Sequence, residues 1–393
     1  MMVFYDLKNK CWFQTSLKKE ELFFGKSAEP LSFLHKEENP SLPFKLNAKD
    51  KNLGPVVGIM TTKDKNGEVA GNAPYFKELQ SALMKLGGMA IVFTLEDLTA
   101  VDMLGYIYLP EQKQWLKATC PLPHVVYNRI PFRKKEESIT YENALEIFSK
   151  NGIPIFNPSF IDKYKLHQLL SSHDYLSTLL PETILIDQEK ELLTFLKNYK
   201  SIYIKPVKAS KGKGIYRVNL DEGGCLQLDG IRHSYTFTNF EEFWNNRDFI
   251  LKNRSYIAQK AIQPALYSGQ RYDFRILSHY KGRYEVTGVG IRQSSEQNIT
   301  THIPNGGKLL TFEEVKTDRH MAEFENMVQE CGALLSEKLG FFGELSIDAG
   351  LTESGEYVIY EVNSKPMSFD EEEIEIERIQ SLVDLFFQLA QFQ

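Results

Sequence analysis

The sequence predicts a mixed α/β and α+β protein: a small β-rich N-terminal segment, an open βαβ layer, then a larger part with much antiparallel sheet. Three observations predict it. After Gly54, an apolar strand, an amphipathic helix and a second apolar strand follow at the spacing of a right-handed βαβ unit. Beyond Ile153 several strands follow one another between helices, and QRYDFRILSHY alternates cleanly, an α+β pattern with much antiparallel sheet. Near the end, GELSIDAGLTESGEYVIYEVNSKP (343–366) reads as a hairpin turning at Glu353, Ser354 and Gly355, residue types that tight turns favour.

Taken in order, residues 1–53 form the β-rich segment. VFYDL and CWFQTSL are strand-like, and Pro40 to Pro43 is a connector. The α/β unit spans 54–152. PVVGIMTT is a strand buried on both faces; APYFKELQSALMKLGG is a helix ended by Gly87 and Gly88. MAIVFTL and HVVYNRI are further strands, and the helix YENALEIFSKNG closes the unit. The third part spans 153–393. Its helices are IDKYKLHQLLSSH, MAEFENMVQECGALLSEKLG and a last one from about Asp370; its strands include SIYIKPV, YIAQKAI, YDFRILSHY, YEVTGVGIRQ and the final hairpin. Ser368 and Glu371 stand at capping-box spacing before the last helix, whose LVDLFFQLAQF face is a core face.

Composition narrows the function classes. The 393 residues are 42% hydrophobic and 25% charged, ordinary globular values. A formal net charge of −6 argues against a general nucleic-acid binder. The four cysteines, Cys11, Cys120, Cys225 and Cys331, are scattered without CxxC spacing, which predicts reduced thiols and no structural zinc. The N-terminus lacks a signal pattern, and no apolar run is long enough to span a bilayer, so a cytoplasmic protein is expected.

The final hairpin carries the most informative chemistry. Strand residues two apart share a face, so Glu361 and Asn363 project together, and Asp348 falls opposite Glu361 or one place away. Two carboxylates and an amide oxygen on one face suit a hard cation such as Mg²⁺. In IYIKPVKASKGKGIYRV, Lys205 sits on a strand, and the following loop holds Lys208, Lys211, Gly212, Lys213 and Gly214. Glycines let backbone N–H groups close over phosphate oxygens, which lysines neutralise. A basic surface hairpin is the competing reading. In QRYDFRILSHY, Asp273 and Arg275 share one face; an arginine held by a sheet suits a phosphoryl group, and a cross-strand ion pair is the alternative. Arg292 ends a strand, and Asn305, Gly306 and Gly307 make a polar turn. Asn128 and Arg129, at a strand end of the α/β unit, are candidates for a second substrate, against a structural role.

In this order and spacing, NRIPFR, IDKYKLHQLL, YIKPVKASKGKGI, YDFRIL and EVNSKP resemble the ATP-grasp superfamily, and more narrowly its YheC/YheD group of endospore coat-associated proteins. The resemblance implies an ATP-grasp fold, two α+β subdomains sandwiching ATP, preceded by a Rossmann-like pre-ATP-grasp domain. It implies ATP and two Mg²⁺ ions as cofactors. Lys163 would be the first nucleotide lysine, with Lys165 as the alternative, and Lys205 the second. The loop Lys208 to Gly214 would cover the phosphates. Gln259, Lys260, Ala261 and Ile262 would hydrogen-bond adenine through their backbone. Arg275 and Arg292, with Asn305, would serve the transfer, and Asp348, Glu361 and Asn363 would hold the metal. No carboxylate for the ribose precedes Asp273, so Arg271 or Asp273 would take shifted roles. The expected activity is ligation: a carboxylate, of an amino acid or peptide, is activated as an acyl phosphate for attack by an amine. The alternatives are an ATP-binding coat or assembly protein with little turnover, partnered by spore coat proteins, and a kinase that stops at phosphoryl transfer.

Overall fold

The computed structural model describes residues 1–15, 21–34, 40–208, 214–231, 233–251, 254–294 and 308–392. A four-stranded sheet opens the chain, in the order Ser32–Phe33, Cys11–Gln14, Met2–Asp6, Ser41–Lys45. The last of these replaces the connector expected at Pro40 to Pro43. Pro43 pairs with Phe4 on an edge strand, where proline's missing N–H need not break a ladder.

The βαβ layer is a six-stranded sheet, in the order Gln114–Pro121, Asp102–Leu109, Met89–Leu98, Val56–Thr61, Val125–Asn128, Ile155–Phe156. Val56–Thr61 is parallel to both neighbours and buried along its whole length. The helix Ala73–Lys85 follows it, capped by Asn72 and ended at Gly87, whose φ is +77°. The antiparallel hairpin Asp102–Leu109/Gln114–Pro121 widens the sheet beyond the sequence expectation. Gly105 weakens the strand signal there, and a Cβ at that position would lie 2.2 Å from Ile91 Cγ2. Ile155–Phe156, just past the segment where the sequence divides, pairs into this same sheet.

Two further six-stranded sheets follow. One has the order Thr183–Leu185, Tyr256–Lys260, Ser201–Pro206, Tyr216–Leu220, Leu226–Gly230, Ser234–Phe237. The other runs Lys308–Leu310, Tyr284–Gln293, Gln270–Tyr280, Glu344–Leu351, Tyr357–Asn363, with Leu266–Tyr267 paired to Gln270–Tyr280. The long helix Asp318–Leu339 backs this sheet: Phe324, Met327 and Leu335 share a core with Phe274, Ile276 and Ile347. On the other face Leu277 packs against Phe369 and Ile374, at the start of the last helix.

The last helix, Glu372–Leu389, does not stay with its own sheet alone. Leu382, Leu385 and Phe386 are buried against Val57, Ile59 and Leu79 of the βαβ layer. The capping box expected from Ser368 and Glu371 does not form: Glu371 is the N-cap without a side-chain bond, and Ser368 Oγ meets Asn72 Nδ2 at 3.4 Å. Phe369 N–H instead donates to Glu375 at 2.7 Å. Among the described residues, no helix is long and apolar enough to cross a membrane.

A buried polar knot ties the last helix to both neighbouring sheets. Arg378 and Glu344, both fully buried, are ion-paired. Tyr127 donates to Glu344 Oε2 at 2.6 Å, and Arg129 Nη1 lies 3.6 Å from the same oxygen. Burial opposes the Glu344 charge, but the Arg378 guanidinium wins and holds its pKa far below the usual carboxylate range.

Candidate active site

The polar face of the second C-terminal sheet is set by strand register. Asp348 pairs with Glu361 on one side and with Arg275 on the other, and Asp273 pairs with Arg292. Directly opposed residues project to one face, so three carboxylates and two arginines are gathered there. Tyr272, Phe274 and Ile276 point the other way, into the core. The hairpin turns at Gly355, with φ +82°, and its register shifts next to Asp348, so that Ala349 pairs with Ile359 and Tyr360 is the extra residue. Such a bulge re-aims side chains: Ile359, Tyr360 and Glu361 all line the cleft. Asn363 stands two pairs further, opposite Ser346, with no side-chain hydrogen bond among the described residues.

Both metal-type carboxylates carry a cation. Lys163 Nζ is ion-paired with Glu361, and Arg292 Nη2 lies 3.0 Å from Asp348 Oδ1. Lys163 opens the helix Lys163–Ser171, whose N-cap Asp162 accepts from Lys165 N at 2.7 Å. Lys165 itself is exposed, and Lys163 is the one of the two that lines the cleft. Arg292 is buried, and its Nε has no hydrogen-bond partner among the described residues. Arg275 departs from expectation. Its Nη1 and Nη2 donate to the carbonyls of Ser368 and Met367 at 3.0 and 2.7 Å, and its guanidinium lies 4.1 Å from the Phe369 ring centre. It anchors the turn after the metal-type strand rather than standing open to a phosphate.

The facing sheet supplies the second wall. Lys205 Nζ donates to Gln259 Oε1 at 2.5 Å, and Gln259 Nε2 donates to Thr183 Oγ1 at 3.1 Å. A lysine can only donate, so it fixes which way the Gln259 amide faces. Burial, and then the neighbouring Lys163, lower the Lys205 pKa to about 8. Leu170, Leu180, Ile257 and Ile359 give the cleft its apolar lining. Asp273 sits among cations, with Arg271, Arg292 and Lys205 all in electrostatic reach. His167 and Tyr360 also line this space, and neither stands out in the sequence.

The remaining expected residues divide. The N–H groups of Lys260 and Ala261 are spent within the fold, on the carbonyls of Glu182 (2.9 Å) and Ser201 (3.1 Å), and the Lys260 ammonium lies 3.2 Å from Glu182. That leaves Ile262 N–H, unpaired among the described residues, as the edge donor. Lys208 is exposed and 2.9 Å from Glu137, and Gly214 has φ +76°. Lys211, Gly212, Lys213 and Asn305, with Gly306 and Gly307, lie outside the described residues. Asn128 is not a substrate group: fully buried, it donates to Glu136, Tyr141 and the Pro158 carbonyl at 3.0 to 3.1 Å. Arg129 donates to the Pro366 carbonyl at 3.0 Å beside Glu344.

A family model described as YheC/D-like ATP-grasp matches residues 152–392. The chain belongs to this family. The endospore coat-associated protein YheD of Bacillus subtilis (strain 168) is 29% identical over 342 residues, 80% of this chain and 73% of the relative. YheC of the same organism is 22% identical over 318 residues, 75% of this chain and 85% of the relative. Among solved structures, the D-Ala:D-Ser ligase VanG of Enterococcus faecalis aligns with a TM-score of 0.50 at 15% identity, covering 86% of this chain and 99% of that one. The D-alanyl-alanine synthetase A of Vibrio cholerae gives 0.50 at 12% identity, with the same coverage. These likenesses show an ATP-grasp fold. Within that fold, the site's donor set fits a polyphosphate held by a hard cation. Two opposed carboxylates and an amide oxygen suit the cation, and the orphaned Arg292 Nε with Lys163 and Lys205 suits the phosphates.

Proposed function

We propose that this protein is an ATP- and Mg²⁺-dependent ligase that joins a carboxylate to an amine or similar nucleophile. The observation that carries this reading is the opposition of Asp348 and Glu361 on one sheet face, with Lys163 and Lys205 across the cleft. Asp348, Glu361 and Asn363 would hold Mg²⁺, which when bound offsets phosphate charge. Lys163, Lys205 and Arg292 bind and orient the phosphates. The apolar lining and Ile262 N–H receive the base. A substrate carboxylate oxygen attacks the γ-phosphorus and ADP leaves. The amine then attacks the acyl carbon, phosphate departs, and the amine loses a proton. Arg292 is the arginine placed to stabilise charge during the transfer. Arg275 positions the turn beside it.

A second reading is favoured by the names of the two Bacillus subtilis relatives: an ATP-binding protein associated with the spore coat and having little turnover. Mg²⁺-dependent ADP release, assayed across amino acids and short peptides, separates the two. ATP binding without turnover on the whole panel favours the second reading. Within the first, Glu361→Gln should abolish Mg²⁺-dependent turnover while leaving the fold intact. Full activity in that variant would sink the metal assignment.

A further inference from the structure

We propose that Lys163 and Arg292 cover the metal carboxylates until nucleotide arrives, so that divalent-cation affinity is created by nucleotide binding. The inference rests on the metal and nucleotide assignment above and adds an order of binding to it. Lys163 sits directly on Glu361, and Arg292 on Asp348 at 3.0 Å. Each carboxylate that would take the ion is therefore already neutralised. An arriving divalent cation would meet two positive groups at contact range, in a cleft where side chains are 10–30% exposed and solvent screens weakly.

A polyphosphate changes that balance. Its oxygens form charge-assisted hydrogen bonds with ammonium and guanidinium groups, and they draw both cations off the carboxylates. The structure provides for the exchange. Lys163 carries its charge on a flexible four-carbon stem, while the Asp162 cap holds the start of its helix in place, so the side chain can swing without moving the backbone. Arg292 has a spare donor, since its buried Nε is unpartnered among the described residues. The carboxylates so released are then free for the metal. Linkage makes the effect reciprocal, so the metal tightens nucleotide by the same factor.

The test is Mn²⁺ binding to the full chain, read by electron paramagnetic resonance, with and without ADP. In the wild type, Mn²⁺ alone should bind weakly, and ADP should tighten it by about tenfold or more. Lys163→Met should tighten Mn²⁺ about tenfold in the absence of nucleotide, while weakening ADP. Lys163→Gln, with a polar stem, should behave likewise, and Lys163→Arg should stay at the wild-type value. If neither neutral variant binds Mn²⁺ more tightly than the wild type while Mn²⁺ and ADP still bind together, this proposal falls and the site assignment stands. If Mn²⁺ fails to bind even with ADP, the site assignment falls and takes this proposal with it.

Discussion

Lys205 shows how one side chain can set a pH limit on binding. Its ammonium is buried beside a second lysine, and both effects favour the neutral form, bringing its pKa to about 8. An anionic nucleotide binds the charged form. Affinity for ADP should therefore be full below about pH 8 and fall up to about tenfold per pH unit above it. Lys205→Arg, with its higher pKa, should remove that inflection; calorimetric titration between pH 7 and 10 checks both. The shared face of Asp348 and Glu361 was legible in the sequence because alternation is a local property; Lys163 entered only through the family resemblance, with Lys165 as its alternative. Gln259 was legible only as backbone. Its side chain acts on Lys205 through a cross-strand contact that no local pattern records. Tyr360 enters the cleft through a bulge, and a one-residue register shift leaves no mark on a strand's composition. Arg275 shared its face as expected, but the carbonyls that claim it lie about ninety residues on.

At the scale of elements, the helix Asp318–Leu339 covers the apolar face of the sheet that carries Asp348 and Glu361. At Gly332 it packs tightly on the sheet: a Cβ there would lie 2.3 Å from Tyr284 Cγ. Tyr284 has no room to yield, because its hydroxyl is hydrogen-bonded to Ser336 on the same helix. Gly332→Ala should destabilise the protein by about 1–3 kcal/mol through overpacking. Urea unfolding measures this, and ADP affinity of the folded variant should be unchanged. The long strands and helices of this half were legible from periodicity. What escaped were elements whose local signals conflict with their place: the strand whose Gly105 lies against Ile91, and an edge strand containing Pro43. The capping box at Ser368 and Glu371 had the right spacing, yet Ser368 was recruited by Asn72 and by the turn under Arg275.

Across the whole molecule, the Glu344–Arg378 pair joins the final helix to the chemical sheet and, through Tyr127 and Arg129, to the βαβ layer. Removing one partner strands the other charge in a dry interior. Arg378→Leu should cost about 3–5 kcal/mol. Because Arg378 holds the Glu344 carboxyl far below its ordinary range, the wild-type contribution is whole at neutral pH and is lost only in strong acid. In the variant burial is opposed less and the Glu344 pKa rises, so acid protonates the stranded carboxyl and the stability gap to the wild type should narrow as pH falls; denaturant midpoints from pH 7 to pH 3 measure it. The succession of strands and helices was largely legible in the sequence, since each has its own periodicity and turn signals. That the last helix completes the core of an early sheet was not, because a long-range contact has no local signature.

That closure has a consequence for biosynthesis. The βαβ layer leaves the ribosome with Val57, Ile59 and Leu79 lacking the helix that covers them, and must wait while more than two hundred further residues are made. Domains ordinarily fold from the N-terminus as they emerge; here the core of the early sheet closes only once the helix Glu372–Leu389 has been made.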